Sequence, residues 1–307
     1  MKGPVFLFTG QGSQFPGMGK DIYENYKEGK EVFETLEKVL GKELVDLIFN
    51  GPEEDLALTE NTQPAILAVD IAVFRCLKIK PKICAGHSLG EYAGLVAASS
   101  ITLEDAFYLV RERAKAMQKA VPVGKGGMVV LRKMTLEEAK KLAESATKGV
   151  IELANINCPG QYVLSGETEA IDEIIEKVGP RKALKLNVSV PFHSSLLKEA
   201  GEKFAKKLDS IEFKDLEFPL VTNAFAEPVE KGSDAREALK KQFASPVLWE
   251  QSIKWILDSG FNTFIECGPK PILIKMAQAI AREKQIPINV YGASKAQDIE
   301  EIKAKFQ

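Results

Sequence analysis

The chain has 307 residues, of which 45% are hydrophobic and 27% are charged, as is typical of a globular protein with a large core. These proportions exclude a disordered or fibrous chain. The 41 Lys and Arg residues nearly balance the 43 Asp and Glu residues, so the overall charge favours neither nucleic acid nor an anionic membrane as a partner.

The cysteines and the N-terminal segment indicate where the protein works. The four cysteines form no CxxC pair and the chain has only 2 histidines, so we expect no metal site. We interpret the cysteines as free thiols in a reducing cytoplasm. The apolar run Val5 to Phe8 is too short for a signal-peptide core, and no stretch approaches the ~20 apolar residues of a membrane span. The sequence therefore predicts a cytoplasmic protein.

The first part of the chain alternates strand-like and helix-like patterns, which indicates a parallel sheet covered by helices. Val5 to Phe8 is predicted to be a buried strand, followed by one helix over 21–40 and another over 63–77. A short apolar segment over 81–85 is predicted to be the next strand. A further helix is predicted to begin after Thr102, which can cap it.

A glycine-rich break at 124–127 opens a segment of different character. Short strands there alternate with two amphipathic helices in the order βαββαβ, which is that of a ferredoxin-like subdomain. Strands are predicted over 128–131, 150–156, 161–165 and 183–188, and helices over 135–145 and 167–178.

From Val190 onward the alternation of helices and strands returns, ending with a helix after Pro271. The large domain is therefore predicted to be discontinuous. We assign residues 1–123 and 190–307 to an α/β core and residues 124–189 to an inserted ferredoxin-like subdomain.

The motif GHSLGE at 86–91 places Ser88 between two glycines, in the GxSxG spacing of a nucleophile elbow. The glycines allow a sharp turn between a strand and a helix, and the flanking segments have the expected strand and helix patterns. The alternative is a structural glycine turn with an ordinary serine. We predict that Ser88 is the nucleophile of an acyl transfer.

A serine hydroxyl needs a base within hydrogen-bond reach, usually a histidine. His87 adjoins Ser88, and neighbours in an extended chain point to opposite sides, so it is poorly placed to take the proton. His193 remains, just before a predicted helix whose N-terminus should keep the imidazole neutral. The alternative is a histidine with only a structural role. We predict that His193 is the base.

The glycine-rich loop over 10–19 follows the first predicted strand. A dinucleotide fingerprint would need glycine at Phe15, and a P-loop would need lysine at Met18, so neither phosphate-binding motif fits. A glycine turn beside the nucleophile can instead direct a backbone N–H at a developing oxyanion. We expect the N–H groups of Gln11 and Leu89 to act as this pair. The alternative is a tight turn without a chemical role.

Arg113 suggests an anionic substrate. At 100° per residue it falls in the apolar sector of its predicted helix. A guanidinium near the nucleophile could bind a carboxylate through two parallel hydrogen bonds. The pattern is equally compatible with a structural arginine whose stem is buried and whose head is in water.

Eight motifs occur in order: GQGSQ at 10–14, NTQPA at 61–65, GHSLGE at 86–91, RAKAM at 113–117, NxPGQxVxSG at 157–166, VPFH at 190–193, QFASPVLW at 242–249 and ECGP at 266–269. Together they resemble the malonyl-CoA:acyl carrier protein transacylases that feed fatty-acid synthesis, over essentially the whole chain. The resemblance implies an α/β-hydrolase-like core, with a mainly parallel sheet, and an inserted ferredoxin-like (βαββαβ) subdomain.

The resemblance also implies roles for the predicted site residues. Ser88 would attack the malonyl thioester, His193 would take and return the proton, and the N–H groups of Gln11 and Leu89 would bind the oxyanion. Arg113 would bind the malonyl carboxylate.

Four more residues have roles by resemblance alone. Gln242 would orient the histidine in place of a triad aspartate, through an atom that the sequence does not specify. Gln63, Met117 and Phe192 would line the substrate site. Phe192 matches the malonyl-selective form of its motif, because the methylmalonyl-selective form has a small residue there.

We expect malonyl-CoA and acyl carrier protein as partners, neither nucleic acid nor membrane, a monomer, and no cofactor beyond the coenzyme A thioester substrate. Two alternatives stay open: a discrete polyketide-pathway acyltransferase, and a serine thioesterase or hydrolase that gives the acyl group to water. A non-enzymatic binding module would leave the serine, histidine and loop unexplained. Candidate docking residues for an acidic carrier are Lys80, Lys82, Arg181, Lys182 and Lys185.

Overall fold

The computed structural model describes residues 2–188 and 190–306. Its strands are β1 (Val5–Phe8), β2 (Ile83–Gly86), β3 (Gly126–Arg132), β4 (Ile151–Cys158), β5 (Gln161–Glu167), β6 (Ala183–Lys185), β7 (Leu220–Val221), β8 (Pro228–Val229), β9 (Thr263–Cys267) and β10 (Asn289–Ala293).

The helices surround two separate sheets. A 3₁₀ turn at Ser195–Leu197 precedes the helix that begins at Lys198. The helices are α1 (Lys20–Asn25), α2 (Lys27–Leu40), α3 (Lys42–Asn50), α4 (Glu53–Leu56), α5 (Thr59–Leu77), α6 (Gly90–Ala97), α7 (Leu103–Ala120), α8 (Leu136–Glu144), α9 (Thr168–Val178), α10 (Lys198–Asp209), α11 (Gly232–Gln242), α12 (Trp249–Asp258), α13 (Leu273–Glu283) and α14 (Ala296–Phe306).

The first sheet has six strands in the order β10-β9-β1-β2-β7-β8. All neighbours are parallel except β7 and β8, which pair antiparallel. The carboxyl ends of β1, β2 and β9 therefore lie side by side, at the edge where parallel α/β sheets bind ligands. The prediction of a mainly parallel α/β core is confirmed.

Helices cover both faces of this sheet because β1 buries alternate side chains on opposite sides. Phe6 and Phe8 pack with the larger core cluster, and both rings meet Phe74 of α5 edge to face. Val5 and Leu7 belong to a second cluster built with α12 and α13. The sheet is thus buried on both sides, which makes its strand ends a rigid platform.

The second sheet is antiparallel, with the strand order β4-β5-β3-β6, and with α8 and α9 it forms the predicted βαββαβ arrangement. Its edge strand β4 is joined to the α/β core by two backbone hydrogen bonds with Val247. The Ile156 N–H donates to the Val247 carbonyl (3.0 Å), and the Val247 N–H donates to the Ala154 carbonyl (2.8 Å). The exact limits of the inserted subdomain, residues 124–189, stay a prediction; its strands lie within 126–185.

The single helix predicted over 21–40 is wrong, because the chain breaks at Tyr26. Tyr26 is extended (φ −129°, ψ 129°) and separates α1 from α2. Its hydroxyl donates to Glu300 Oε1 of α14 at 2.7 Å. A tertiary contact with the far end of the chain thus fixes a bend that local helical periodicity does not show.

Helix α5 begins at Thr59, four residues before the predicted start, and Pro64 lies inside it. Proline has no N–H to donate to the carbonyl four residues earlier. In this helix Arg111 Nη1 of α7 donates to that Glu60 carbonyl at 2.6 Å. The missing helical bond is replaced from a neighbouring helix, so the proline does not end α5.

The predicted final helix after Pro271 is not the last element. α13 is followed by β10 at the sheet edge and by α14, and the short helices α3 and α4 were also not predicted. Strand β10 was missed because most of its residues are half-buried or exposed and show no clear alternation. Within the described ranges, no helix is long and apolar enough to span a membrane.

Candidate active site

Ser88 sits in a turn between β2 and α6, where two glycines let three backbone segments meet. Its φ of 53° lies in the left-handed region that few non-glycine residues adopt. A Cβ at Gly86 would overlap the backbone of Gly90, and a Cβ at Gly90 would overlap the backbone of Phe8. The GxSxG spacing is thus required by contact, as a nucleophile elbow demands.

Asn223, which follows β7, holds this strained turn from behind. Its Oδ1 accepts the Ser88 N–H at 2.6 Å, and its Nδ2 donates to the Gly86 carbonyl at 2.7 Å. Both backbone groups flanking the serine are therefore satisfied by one buried side chain. Sequence reasoning missed Asn223, because it lies in no motif and 135 residues from Ser88.

Ser88 and His193 lie within hydrogen-bond reach of each other, as predicted for a nucleophile and its base. Ser88 Oγ lies 2.7 Å from His193 Nε2, and His193 Nδ1 lies 3.0 Å from the backbone carbonyl oxygen of Gln242. A carbonyl can only accept, so Nδ1 carries the proton and Nε2 is free to accept the serine proton. Gln242 therefore orients the histidine through its main chain.

His193 is a neutral base for reasons different from the one expected. It is buried and has a φ of 58°. Burial first, and the charge of Arg113 second, lower the pKa of His193 to about 3. Above that pH the ring is neutral and can accept a proton. The helix expected just after His193 begins as a 3₁₀ turn at Ser195–Leu197 and continues as α10.

His87 points away from the serine. Its Nε2 lies 2.9 Å from Asn157 Oδ1 of β4, and its ring packs against Trp249 with centroids 5.4 Å apart. Burial lowers the pKa of His87. Its place is thus at the contact between the core and the inserted sheet, and it donates or accepts no hydrogen bond with the nucleophile among the described residues.

Arg113 is 1% exposed and its guanidinium reaches the nucleophile. Nη2 donates to Ser88 Oγ at 3.0 Å and to Gln242 Oε1 at 2.9 Å, while Nη1 donates to Gln63 Oε1 at 3.0 Å. The ring of Tyr92 lies 5.6 Å from the guanidinium carbon. Every acceptor is neutral.

Arg113 donates no hydrogen bond to a carboxylate in the described part of the chain, and its Nε has no partner there. The buried carboxyl of Glu91 interacts with the guanidinium only through space. A buried cation without a paired anion is costly, unless an anion binds at that place. The geometry therefore favours an anionic ligand next to Ser88 and weighs against the structural arginine with its head in water.

A cavity of about 120 Å³ opens above the serine. Most predicted site residues line it. Met117 and Gln242 do not, and they contact lining residues instead: the Met117 sulfur lies 3.9 Å from Gln63 Nε2, and Gln242 Oε1 lies 2.9 Å from Arg113 Nη2. Four residues from the inserted segment were not predicted. The lining residues are Gln11, Gln63, His87, Ser88, Leu89, Arg113, Met128, Asn155, Leu186, Val188, Phe192 and His193.

The two residues predicted to supply the oxyanion hole both border this cavity. Gln11 and Leu89 both line it, and neither N–H donates to a protein acceptor within residues 2–188 and 190–306. Unpaired donors beside a nucleophile can bind the charge that develops on a carbonyl oxygen. An oxyanion-binding role for the glycine loop is compatible with this arrangement and stays a prediction.

The structure separates the basic residues considered for carrier docking. Lys80 and Lys82 precede the amino end of β2, whereas Ser88 follows its carboxyl end. Lys185 lines a second, larger cavity beside the first and pairs with Asp172 at 2.6 Å. Lys185 is therefore on the side of the site, whereas Lys182 lines a separate cavity between α8 and α9.

The site places a serine at a strand-to-helix elbow, beside a neutral histidine and a buried guanidinium, and this arrangement is typical of enzymes that transfer acyl groups. The sequence matches the acyl transferase domain family over residues 5–302. The chain belongs to this family, and within it to the malonyl CoA-acyl carrier protein transacylases.

Three relatives support this assignment. The malonyl CoA-acyl carrier protein transacylase of Bacillus subtilis (strain 168) is 42% identical over 286 residues, 91% of this chain and 90% of the relative. The transacylase structure from Clostridium perfringens is 37% identical with a TM-score of 0.92, covering 99% of this chain and 97% of that one. A malonyl-transacylase in complex with a type II polyketide synthase acyl-carrier protein is 33% identical with a TM-score of 0.93, covering 98% and 99%.

Proposed function

We propose that this protein transfers the malonyl group from malonyl-CoA to the phosphopantetheine thiol of acyl carrier protein, through a malonyl ester on Ser88, and so supplies fatty-acid elongation. One observation carries the proposal: the buried Arg113 guanidinium lies 3.0 Å from Ser88 Oγ and has no carboxylate partner among the described residues. Malonyl is an acyl group that brings its own carboxylate, and a guanidinium binds it in a charge-assisted pair.

In the first half-reaction Ser88 Oγ attacks the thioester carbonyl while His193 Nε2 takes its proton. The N–H groups of Gln11 and Leu89 stabilise the oxyanion. The C–S bond then breaks, and the His193 imidazolium returns the proton to the leaving coenzyme A thiolate. The products are free coenzyme A and the malonyl ester on Ser88.

In the second half-reaction the carrier thiol replaces coenzyme A and attacks the ester carbonyl. His193 takes the thiol proton and returns it to Ser88 Oγ as the C–O bond breaks. A cavity of about 720 Å³ adjoins the serine cavity and shares Gln11, Leu186 and Val188 with it. Both thiols end in the same pantetheine arm, and this cavity has the room for such an arm.

The proposal also covers the oligomeric state, the cellular location and the use of cofactors. We propose that the protein works as a monomer in the cytoplasm and uses no cofactor beyond its thioester substrate. One observation supports the polyketide alternative, namely the similarity to the carrier-bound polyketide malonyl-transacylase. The malonyl transfer itself is the same in both pathways.

Intact-protein mass spectrometry after incubation with malonyl-CoA tests the proposal. We expect a malonyl mass that maps to Ser88 and that is lost when carrier protein with its phosphopantetheine arm is added, with the malonyl group recovered on the carrier. Release of most malonyl to water with carrier present would instead identify a thioesterase. No acyl mass at all would refute the mechanism.

A further inference from the structure

Glu91 is a buried carboxyl group directly below the nucleophile elbow. It lies in the first turn of α6, three residues after Ser88, and is fully buried. Its Oε2 accepts two hydrogen bonds of 2.9 Å, one from the backbone N–H of Asn223 and one from Gln242 Nε2. It does not line the cavity among the described residues, so it cannot touch the acyl group.

Through Gln242, Glu91 reaches the base and the guanidinium. The Gln242 amide nitrogen donates to Glu91 and to the Ser88 carbonyl (2.9 Å), so the amide oxygen is left facing Arg113. A rotated amide would direct its NH₂ group at the guanidinium, where donor would meet donor. The carboxyl of Glu91 therefore fixes the amide in its productive orientation.

Through Asn223, Glu91 reaches the nucleophile. The carboxyl oxygen anchors the backbone of Asn223, and the side chain of Asn223 holds the N–H of Ser88 and the carbonyl of Gly86. The left-handed backbone of Ser88 is strained and persists only where its surroundings fix it. One carboxyl oxygen thus supports both sides of the reaction centre.

We propose that Glu91 is the positioning residue of this active site: it holds Ser88, His193 and Arg113 in register through Asn223 and Gln242. The inference rests on the proposed function, because it concerns the geometry of that same acyl transfer. It extends the site to a residue that touches no reacting atom.

The hydrogen-bond geometry of Glu91, more than its charge, should matter. Burial raises the pKa of Glu91 to about 7, so both protonation states occur near neutral pH. Oε1 has no partner in the described part of the chain and can carry the proton while Oε2 keeps both bonds. The ionisable groups that face it are Arg113 of α7, Tyr92 of α6 and Cys84 of β2.

Two conservative variants separate geometry from charge. Glu91→Gln can keep an oxygen at the Oε2 position and loses the charge. Glu91→Asp keeps the charge, but its shorter side chain withdraws the oxygen from both donors. We expect Glu91→Gln to acylate Ser88 within about threefold of wild type, and Glu91→Asp to be roughly tenfold or more slower, because small displacements in a reaction centre are costly.

Single-turnover acylation by malonyl-CoA and by acetyl-CoA, followed by mass spectrometry, is the measurement. Glu91→Asp should also narrow the preference for malonyl over acetyl, because a released Gln242 no longer holds Arg113. Wild-type acylation is measured first, so a failure of the proposed function is seen before any variant is compared. Should Glu91→Asp not fold, Glu91→Met replaces it, because methionine is similar in length and offers only a weak thioether acceptor.

Glu266→Asp is the matched control. Glu266 is equally buried and accepts three backbone N–H bonds of 2.8 to 2.9 Å at the start of α13, away from the serine. Glu266→Asp should lower the melting temperature and leave the rate of acylation within about twofold of wild type. The inference is overturned if Glu91→Asp acylates as fast as wild type. It is also overturned if Glu91→Gln or Glu266→Asp acylates as slowly as Glu91→Asp.

Discussion

Two groups of buried polar residues lie at the carboxyl ends of neighbouring strands, and only one of them has the means to do chemistry. The first surrounds Ser88. The second joins Thr9, Asp70 and Glu266 next to β1 and β9, with Thr9 Oγ1 donating to Asp70 Oδ1 at 2.7 Å. Burial raises the pKa of Asp70 well above its usual range and that of Glu266 to about 7.

The two groups differ in access and in charge. The Ser88 group contains a cation, a neutral base and unpaired N–H donors, and a cavity reaches it. The acidic group has no buried basic partner within the described residues and does not line that cavity. Shifted pKa values occur in both, so a perturbed pKa alone does not identify a site. The combination with donors and a cavity does.

The strongest test of this comparison removes the nucleophile. Ser88→Ala should abolish the acyl-enzyme and lower transfer by roughly 10⁴-fold or more, because the reaction then lacks its covalent step. Loss of the malonyl mass in the mass spectrum checks it. A malonyl mass on the Ser88→Ala protein would place the nucleophile elsewhere.

The two histidines give the next largest contrast. His193→Ala should slow acylation by roughly 10²- to 10⁴-fold, the range for losing a general base, while His87→Ala should do far less. Stopped-time acylation assays with each folded variant measure the difference. Near-normal acylation by His193→Ala would remove that residue from the mechanism.

Arg113 tests whether the buried cation selects the substrate. Arg113→Ala should lower kcat/KM for malonyl-CoA by a factor of roughly 30 or more, because the charged hydrogen bonds to the carboxylate are lost. This factor corresponds to at least about 2 kcal/mol of transition-state stabilisation. Acetyl-CoA has no carboxylate, so its kcat/KM should fall far less or rise. Both donors are assayed on wild type and variant after a thermal melt shows that each is folded. An equal fall for both donors would make Arg113 structural.

The acidic group should affect stability without affecting catalysis. Because folding raises the pKa of Glu266 from 4.5 to about 7, the folded protein holds this proton more tightly than the unfolded chain. Stability from this group is full below pH 4.5 and is lost as the pH rises to 7, on the order of 1 kcal/mol per pH unit.

Glu266→Gln removes that ionisation and should flatten the fall in melting temperature between pH 5 and pH 8. Thermal melts of wild type and variant across this range measure it, with acylation assayed in parallel. An unchanged slope would mean that Glu266 is not protonated in the folded protein.

The elbow and the base could be predicted from sequence because each rests on a local rule. Ser88 is marked by two glycines that the backbone contacts require, and His193 by the scarcity of histidine in the chain. The inward face of Arg113 followed from helical periodicity. These signals need no knowledge of distant parts of the chain.

What the sequence did not show depends on long-range contacts. Asn223 meets Ser88 across 135 residues, and Tyr26 breaks its helix because α14 lies beside it. Glu91 was visible inside the GHSLGE motif, but its role appears only when Gln242, 151 residues away, is placed against it. Such partners are set by topology and leave no pattern in the local sequence.

Arg113 donates a hydrogen bond to Ser88, so a substrate that pairs with Arg113 also affects the base that activates the serine. The guanidinium charge lowers the pKa of His193 and so weakens it as a base. A malonyl carboxylate paired with Arg113, as proposed, would offset this charge and raise the basicity of His193 when the correct acyl group binds. An acetyl group brings no such charge and meets a weaker base. Discrimination is thereby exerted on the proton transfer itself, in addition to the grip on the acyl group.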